Sequence, residues 1–432
     1  MSTKSLLTRL EAAQPVVAQR DLYYRGHQRL RFMIDRVDGT VMGFRSNLAR
    51  VAVNAVAERI RLQDVAATVK GRDYSQRARQ LVQDCDFPML LQSIITDMLA
   101  VGSAYLIVWV DGDGRPVVTG ESAEQVAVER DPITRAVVEG VKRWEVKDAN
   151  GVVIEEHVIK YGPDKIVHLV RDDKRGKLSF VDSVPNPLGV VPVVPLINVE
   201  RIHDDVGTSV VDDLAPLLDA LNKLIVDMMT TSESVARPKR YATGVNLDDD
   251  DTEGFVADTG FTADGAEAVE AVIEELDDGV RAPFRDADDM WVSEQPEARF
   301  GQLPGADMSG YQTAVDLIMQ QIMAVTSLPA HMVGITTANP STAEALRASE
   351  VALSSAAAGR VRVVNRPVEW AVRMLVAIEA GVSPQDVAVD VTWADTSTRS
   401  VAQEADAAVK LSAEGVVNHE EARDMVGAKE EI

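Results

Sequence analysis

The chain has 432 residues, 46% of them hydrophobic, a formal net charge of −24 and one cysteine, Cys85. That is enough apolar chain for a sizeable core and two to four domains, which excludes a globally disordered polymer. A lone thiol excludes an intrachain disulfide and any zinc cluster built on several thiolates, and it fits a reducing, cytoplasmic birthplace.

The charge is segregated along the chain. Residues 245–300 carry 18 Asp and Glu against 3 Arg, a local −15, whereas residues 1–80 carry 15 Lys and Arg against 7 Asp and Glu, a local +8. The overall acidity argues against broad nucleic-acid binding, so any contact with DNA must be reconciled with this split.

Taken in order, the N-terminus Met1-Ser2-Thr3-Lys4 is followed by no apolar leader segment. Residues 5–80 read as helical, with a break at Tyr23-Tyr24-Arg25-Gly26-His27 and helical apolar spacing from Asn47 to Val56. The apolar run Phe87 to Val110 has the length of a membrane span and Asp97 as its single charge. Gly102-Ser103 interrupts it, and Tyr105 to Val110 is β-rich, so a buried helix from about Pro88 to Val101 followed by a buried strand is the better reading. The chain is therefore expected to have no membrane partner.

Ala104 to Leu196 predicts an antiparallel β subdomain. Turn signals at Asp111–Gly114 and Asp148–Gly151 separate alternating runs such as Val152–Tyr161 and Lys165–Val170. Gly207-Thr208-Ser209 caps a helix running to about Val235, whose wide stripe includes Leu214, Leu217, Leu218 and Leu221. Arg237-Pro238-Lys239-Arg240 ends it. The acidic segment contains one short helical candidate, Ala266–Leu276. Gln302 to Gly310 reads as a loop, a helix capped near Ser309 runs to Thr326, and a long helix opens at Asn339-Pro340-Ser341-Thr342. A strand over Val387–Trp393 interrupts an otherwise helical C-terminal third.

Little in the chain suggests catalysis. Asp111-Gly112-Asp113-Gly114 begins like a calcium loop, but Pro116 stands where glycine is required and Ser122 where the loop ends in Glu, so a solvent-facing turn is favoured. The six histidines lie scattered, none spaced i, i+4 beside a carboxylate, and no metal site is expected. Gly176-Lys177 lacks the upstream glycine and the following hydroxyl of a phosphate loop. No catalytic residue and no cofactor are assigned. If ATP drives the system, another protein hydrolyses it. Asp248 to Asp251 reads as a self-repelling solvated run. Arg237, Lys239 and Arg240 could touch phosphate or a partner, or merely compensate a helix C-terminus.

The order of several motifs resembles the portal proteins of tailed bacteriophages, siphovirus-type head-to-tail connector rings. The resemblance rests on Tyr23-Tyr24-Arg25-Gly26, Asn47 with its helix, Gly102-Ser103-Ala104-Tyr105, Gly207-Thr208-Ser209 with Asn222, and Pro238 with Gly244. Thr326 to His331 and Asn339 to Ala345 carry it most strongly, and Trp393 through Gly415 extends it. It implies a mainly helical α+β portal-type fold with an antiparallel β subdomain in the wing, stem helices and a channel loop. It further implies a homo-oligomeric ring, usually of twelve subunits, at the portal vertex of the virion. Double-stranded DNA would be packaged and ejected through it, with terminase, major capsid or scaffold protein and a head-tail adaptor as partners. Another virion ring or adaptor protein at the head-tail interface is the alternative.

Carried onto this chain, 1–205 would be the N-terminal wing, 206–300 stem and clip, 301–312 the channel loop, and 313–432 the C-terminal wing with a short crown. Gln302, Asp307, Met308 and Ser309 would face the channel, the alternative being an ordinary surface loop between two helices. Leu214, Leu217 and Leu221 are candidates for subunit packing. The acidic segment would either line the channel, repelling phosphates over about 8 Å so that the duplex slides, or form an exposed face that docks a basic partner.

Overall fold

The computed structural model describes residues 3–31, 45–172, 177–201, 207–236, 240–243, 299–302, 308–335, 343–397, 401–415 and 418. Its architecture is α+β, with helices and antiparallel sheets throughout. The chain divides into two units, one formed by residues 1–226 and 313–432, the other by 227–312.

In the first unit, α1 (Thr3–Arg25) ends at Gly26, whose φ of +72° takes the chain out of the helix. α2 (Leu48–Ala57), α3 (Ser75–Asp84) and the core helix α4 (Phe87–Val101) follow. Phe87, Leu91, Ile95, Met98 and Leu99 of α4 are fully buried. The apolar run read from the sequence is thus a core helix followed by the buried strand β3 (Ser103–Val110). No described helix is long and apolar enough to cross a membrane.

Asp97, the charge inside that run, lies half-buried on α4. Burial, with the carboxylates of Asp21 and Glu124 nearby, pushes its pKa up to about 6. An unfolded chain releases this proton near about pH 4. The unfolded state therefore ionises first, and stability falls as pH rises through that window. Asp97→Asn is expected to stabilise the protein at neutral pH by about 1–3 kcal/mol and to flatten the pH dependence between about 4 and 6. Urea midpoints at both ends of the window check this, and an unchanged profile would contradict it.

The β subdomain contains two sheets. In one, β3 is flanked by β4 (Pro116–Ser122) and β10 (Val193–Ile197). The other is an antiparallel meander of β5 (Val126–Arg130), β6 (Val137–Lys147), β7 (Val153–Tyr161), β8 (Lys165–Asp172) and β9 (Ser179–Pro185). Leu6 and Leu7 of α1 meet Val141 and Val158 on one face of this meander in a small second core.

One expectation fails. Residues 62–73 are not helical: β1 (Leu62–Val69) and β2 (Arg72–Asp73) form strands, joined by a turn at Lys70-Gly71 with φ of +49° and +78°. β1 pairs antiparallel with β13 (Val387–Trp393), Val65 opposite Val391 and Val69 opposite Val387. A partner more than 300 positions away supplies the backbone hydrogen bonds that override the weak local helical pattern.

α5 (Val210–Ala236) carries the predicted leucine stripe. Leu214 and Leu221 are buried within the chain's own core, alongside Leu218, and Leu217 is half-buried against it. Of the three packing candidates, Leu217 is thus the one that keeps surface for a neighbour. α6 (Ser309–Thr326) and α7 (Ala343–Ala380) follow, separated by a short 3-10 turn at Ala330–Val333. α7 packs across β13, β10 and β3, burying Leu353, Val364, Val368, Val372 and Leu375. α8 (Val401–Ala413) is the last described helix.

Candidate functional site

In the second unit, β11 (Arg240–Thr243) pairs antiparallel with β12 (Arg299–Gln302). The register sets Arg240 directly opposite Gln302 and Tyr241 opposite Gly301. Arg240, the last residue of the basic cluster, and Gln302, the first of the candidate loop, far apart in sequence, are therefore neighbours on one two-stranded ribbon. In the same unit, the Thr231 and Tyr311 hydroxyls lie 3.0 Å apart, linking the end of α5 to the start of α6. Ser309 is exposed and is the first residue of α6, as its capping position suggested, and Met308 before it is half-buried. Arg237, Lys239, Asp307 and the helical candidate Ala266–Leu276 lie outside the described residues.

The motif residues behind the resemblance converge at the start of α5. Ser209 caps the helix: its Oγ accepts from the Val211 N–H at 2.9 Å, while Asp212 Oδ2 accepts from the Ser209 N–H at 3.0 Å. This reciprocal pair satisfies donors that a helix N-terminus leaves open. Arg20 of α1 grips Asp212 with two nitrogens, at 2.8 and 2.6 Å, and donates to the Val101 carbonyl at 2.7 Å. The Gly102 carbonyl accepts from Asn198, and Asn198 bonds Thr208 through its backbone carbonyl and side-chain amide.

Two turns further on, the Tyr23 hydroxyl bonds both oxygens of buried Asp219 at 2.8 and 2.9 Å, and Arg31 approaches the same carboxylate at 3.5 Å. Burial and the adjacent Asp219 push the Tyr23 phenol up to about 12. Buried Asn222 accepts from the Ser46 N–H at 2.8 Å. These bonds fix the entry of α5 against α1 and α4, a positioning duty and not a chemical one.

A second cluster ties the turn after α6 to α2 and α7. His331, from the turn after α6, and Arg59, just past α2, each lie 3.2 Å from one oxygen of Glu350 on α7. At the C-terminal end, Trp393 Nε1 donates to Asn365 Oδ1 at 2.7 Å. Among the described residues, no group of three or more His, Cys, Asp or Glu side chains is arranged to hold a metal ion.

Sequence reasoning missed one constellation. His157 of β7 and His168 of β8 come together with Trp144 of β6, their facing ring nitrogens 3.0 Å apart. The signal was present in the hairpin: a turn between Tyr161 and Lys165 sets Ile159 opposite His168, placing both histidines on one face.

The first unit is a helical and β scaffold tightly keyed at the entry of one long helix, and the second carries a two-stranded ribbon that sets Arg240 against Gln302. The family model described as "Phage portal protein, SPP1 Gp6-like" matches residues 19–430, and the chain belongs to that family. The portal protein of Mycobacterium phage L5 is 28% identical over 317 residues, covering 72% of this chain and 60% of that one. That of Mycobacterium phage D29 is 29% identical over 285 residues, covering 65% and 54% respectively. The chain thus spans between half and two thirds of the length of these curated relatives. Among solved structures, a chain from the neck of an empty GTA particle computed with C6 symmetry aligns over 96% of this chain and 93% of its own, at 15% identity and a TM-score of 0.49. A chain from the virion of a native gene transfer agent particle aligns over the same shares at 15% identity and a TM-score of 0.47.

Proposed function

We propose that this chain assembles into the portal ring at the capsid vertex, the conduit through which double-stranded DNA is packaged and later ejected and to which the tail is joined. The observation that carries the reading is the family match across residues 19–430, supported by two relatives that bear the name portal protein. Terminase, capsid or scaffold protein and a head-tail adaptor are its partners in this reading, and ATP hydrolysis belongs to one of them. The pairing of Arg240 with Gln302 supports treating the basic cluster and the 302–310 loop as parts of one region. In the ring that region faces the lumen, with Gln302, Asp307, Met308 and Ser309 at its constriction. A loop of glycines with Asp307 as its single charge brushes a duplex without gripping it, because each Lys or Arg contact would release counterions and tighten binding.

Electron microscopy of the purified chain tests both levels. The expected result is a closed ring of about twelve subunits, the number the family resemblance implies, with a central hole wider than duplex DNA. A protein that stays monomeric or forms only open filaments would overturn the conduit. A closed ring whose map sets residues 302–310 on the outer face would leave the conduit standing and remove the channel loop.

A further inference from the structure

His157 and His168 sit on the face of the meander opposite α1, in a row that crosses three strands. His157 Nε2 lies 3.2 Å from Glu155 Oε2, His157 Nδ1 lies 3.0 Å from His168 Nε2, and His168 Nδ1 lies 3.7 Å from Asp182 Oδ1. The ring planes differ by 19° and the centroids are 5.3 Å apart. That separation is the nitrogen–nitrogen distance plus both ring radii, so the imidazoles meet edge to edge in one plane, as a hydrogen bond requires. The Trp144 ring stacks on His157 with centroids 4.9 Å apart and planes 8° from parallel. Lys142 Nζ lies 5.9 Å from the Trp144 centroid and bonds Glu121 at 2.6 Å. Asp172 is opposite Glu155 in the strand register. Arg171 and Glu156, and Lys160 and Glu139, pair on the other face.

Proton bookkeeping along this row is restrictive. With both imidazoles neutral, His157 donates to Glu155 through Nε2 and accepts from His168 Nε2–H, which leaves a bare lone pair on His168 Nδ1 facing the Asp182 carboxylate. One added proton on that nitrogen turns the repulsive contact into an attractive one, and every member then has a partner. A second proton has only His157 Nδ1 left to occupy, where it would point at the His168 Nε2–H across 3.0 Å.

We propose that the Glu155–His157–His168–Asp182 row is a proton switch that is complete with one proton and forced apart by a second, releasing β8 and β9 at the outer edge of the meander. β9 is exposed along its length and displays Phe180, Val181 and Val184, so its release changes what the subdomain presents to its surroundings.

Trp144 reports the event, because a stacked imidazolium quenches indole emission. The chain has five tryptophans, so the signal is taken as the difference between the full-length protein and its Trp144→Phe variant. Followed over about pH 8 to 5, that difference is expected to change in two separate steps. In His168→Gln a single step should remain, displaced from both. Hydrogen exchange of the β8 and β9 amides, corrected for intrinsic pH dependence, should accelerate at the second step in the native protein and not in His168→Gln. A single titration that His168→Gln leaves in place, or the absence of any titration in the difference signal, would overturn the switch.

Discussion

Gly207→Ala is expected to destabilise the protein severely and to lower its soluble yield. Gly207 has φ of +85°, and a Cβ there would sit 2.0 Å from the carbonyl oxygen of Gly102. An L side chain in the left-handed region costs about 1–2 kcal/mol before any contact is considered. The clash adds to it, because the opposing atom is main chain. The Gly102 carbonyl is held by the Asn198 N–H at 2.9 Å, and Asn198 in turn accepts from Thr208 N at 3.0 Å. Neither strand of this crossing can retreat without breaking the bonds that seat the start of α5. A total loss above about 3 kcal/mol is a large part of the 5–15 kcal/mol that holds a typical domain folded. Gly71→Ala is the control: its φ is +78°, but nothing lies within 4 Å of the added carbon. That variant should lose only the backbone strain. Soluble yield and denaturant midpoints separate the two, and equal losses would show that the close approach of Gly102 and Gly207 does not matter.

The second large effect is expected at Glu350. Its carboxylate is 13% exposed and faces an Arg59 side chain that is 15% exposed, with His331 on its other oxygen. Glu350→Ala strands the guanidinium in a site that water reaches poorly, and removing one partner of a buried pair costs about 3–5 kcal/mol. Some solvent reaches the pair, so about 2–3 kcal/mol is the expected loss. Glu350→Gln keeps an oxygen to accept from Arg59 and should lose distinctly less. Because the three residues come from α2's end, the turn after α6, and α7, the Ala variant should also loosen the attachment of that turn, seen as faster proteolysis near Pro329. An Ala variant with the native denaturation midpoint would show that the ion pair is decorative.

Gly207 and the turn that presents His331 stood out in the sequence as punctuation and not as chemistry, whereas Glu350 did not stand out. Gly102, Gly207, Ser209 and His331 were legible as caps, turns and motif members, since Gly admits left-handed backbone, Pro fixes it and Ser caps helices wherever they occur. That two of the glycines touch, and that His331 and Arg59 share one carboxylate, was not legible. Those contacts join segments that are distant along the chain.

The same division runs through the fold. Local pattern was enough for the core helix and strand across Phe87–Val110, the capped helix beginning after Ser209, the start of α6 at Ser309 and the strand Val387–Trp393. Each is written in local terms: apolar run length, a hydroxyl beside a following carboxylate, and alternation of period two. Family membership was also legible, because the order and spacing of short motifs survive where overall identity is low. That residues 62–69 are a strand follows from long-range pairing, since their weak local preference yields to the ladder offered by Val387–Trp393. Tertiary packing and pairing also set Arg240 against Gln302, turned Leu214 and Leu221 into the chain's own core, and brought His157 to His168. Strand register and helix packing are long-range choices, made by hydrogen bonds and burial between segments that no local pattern connects.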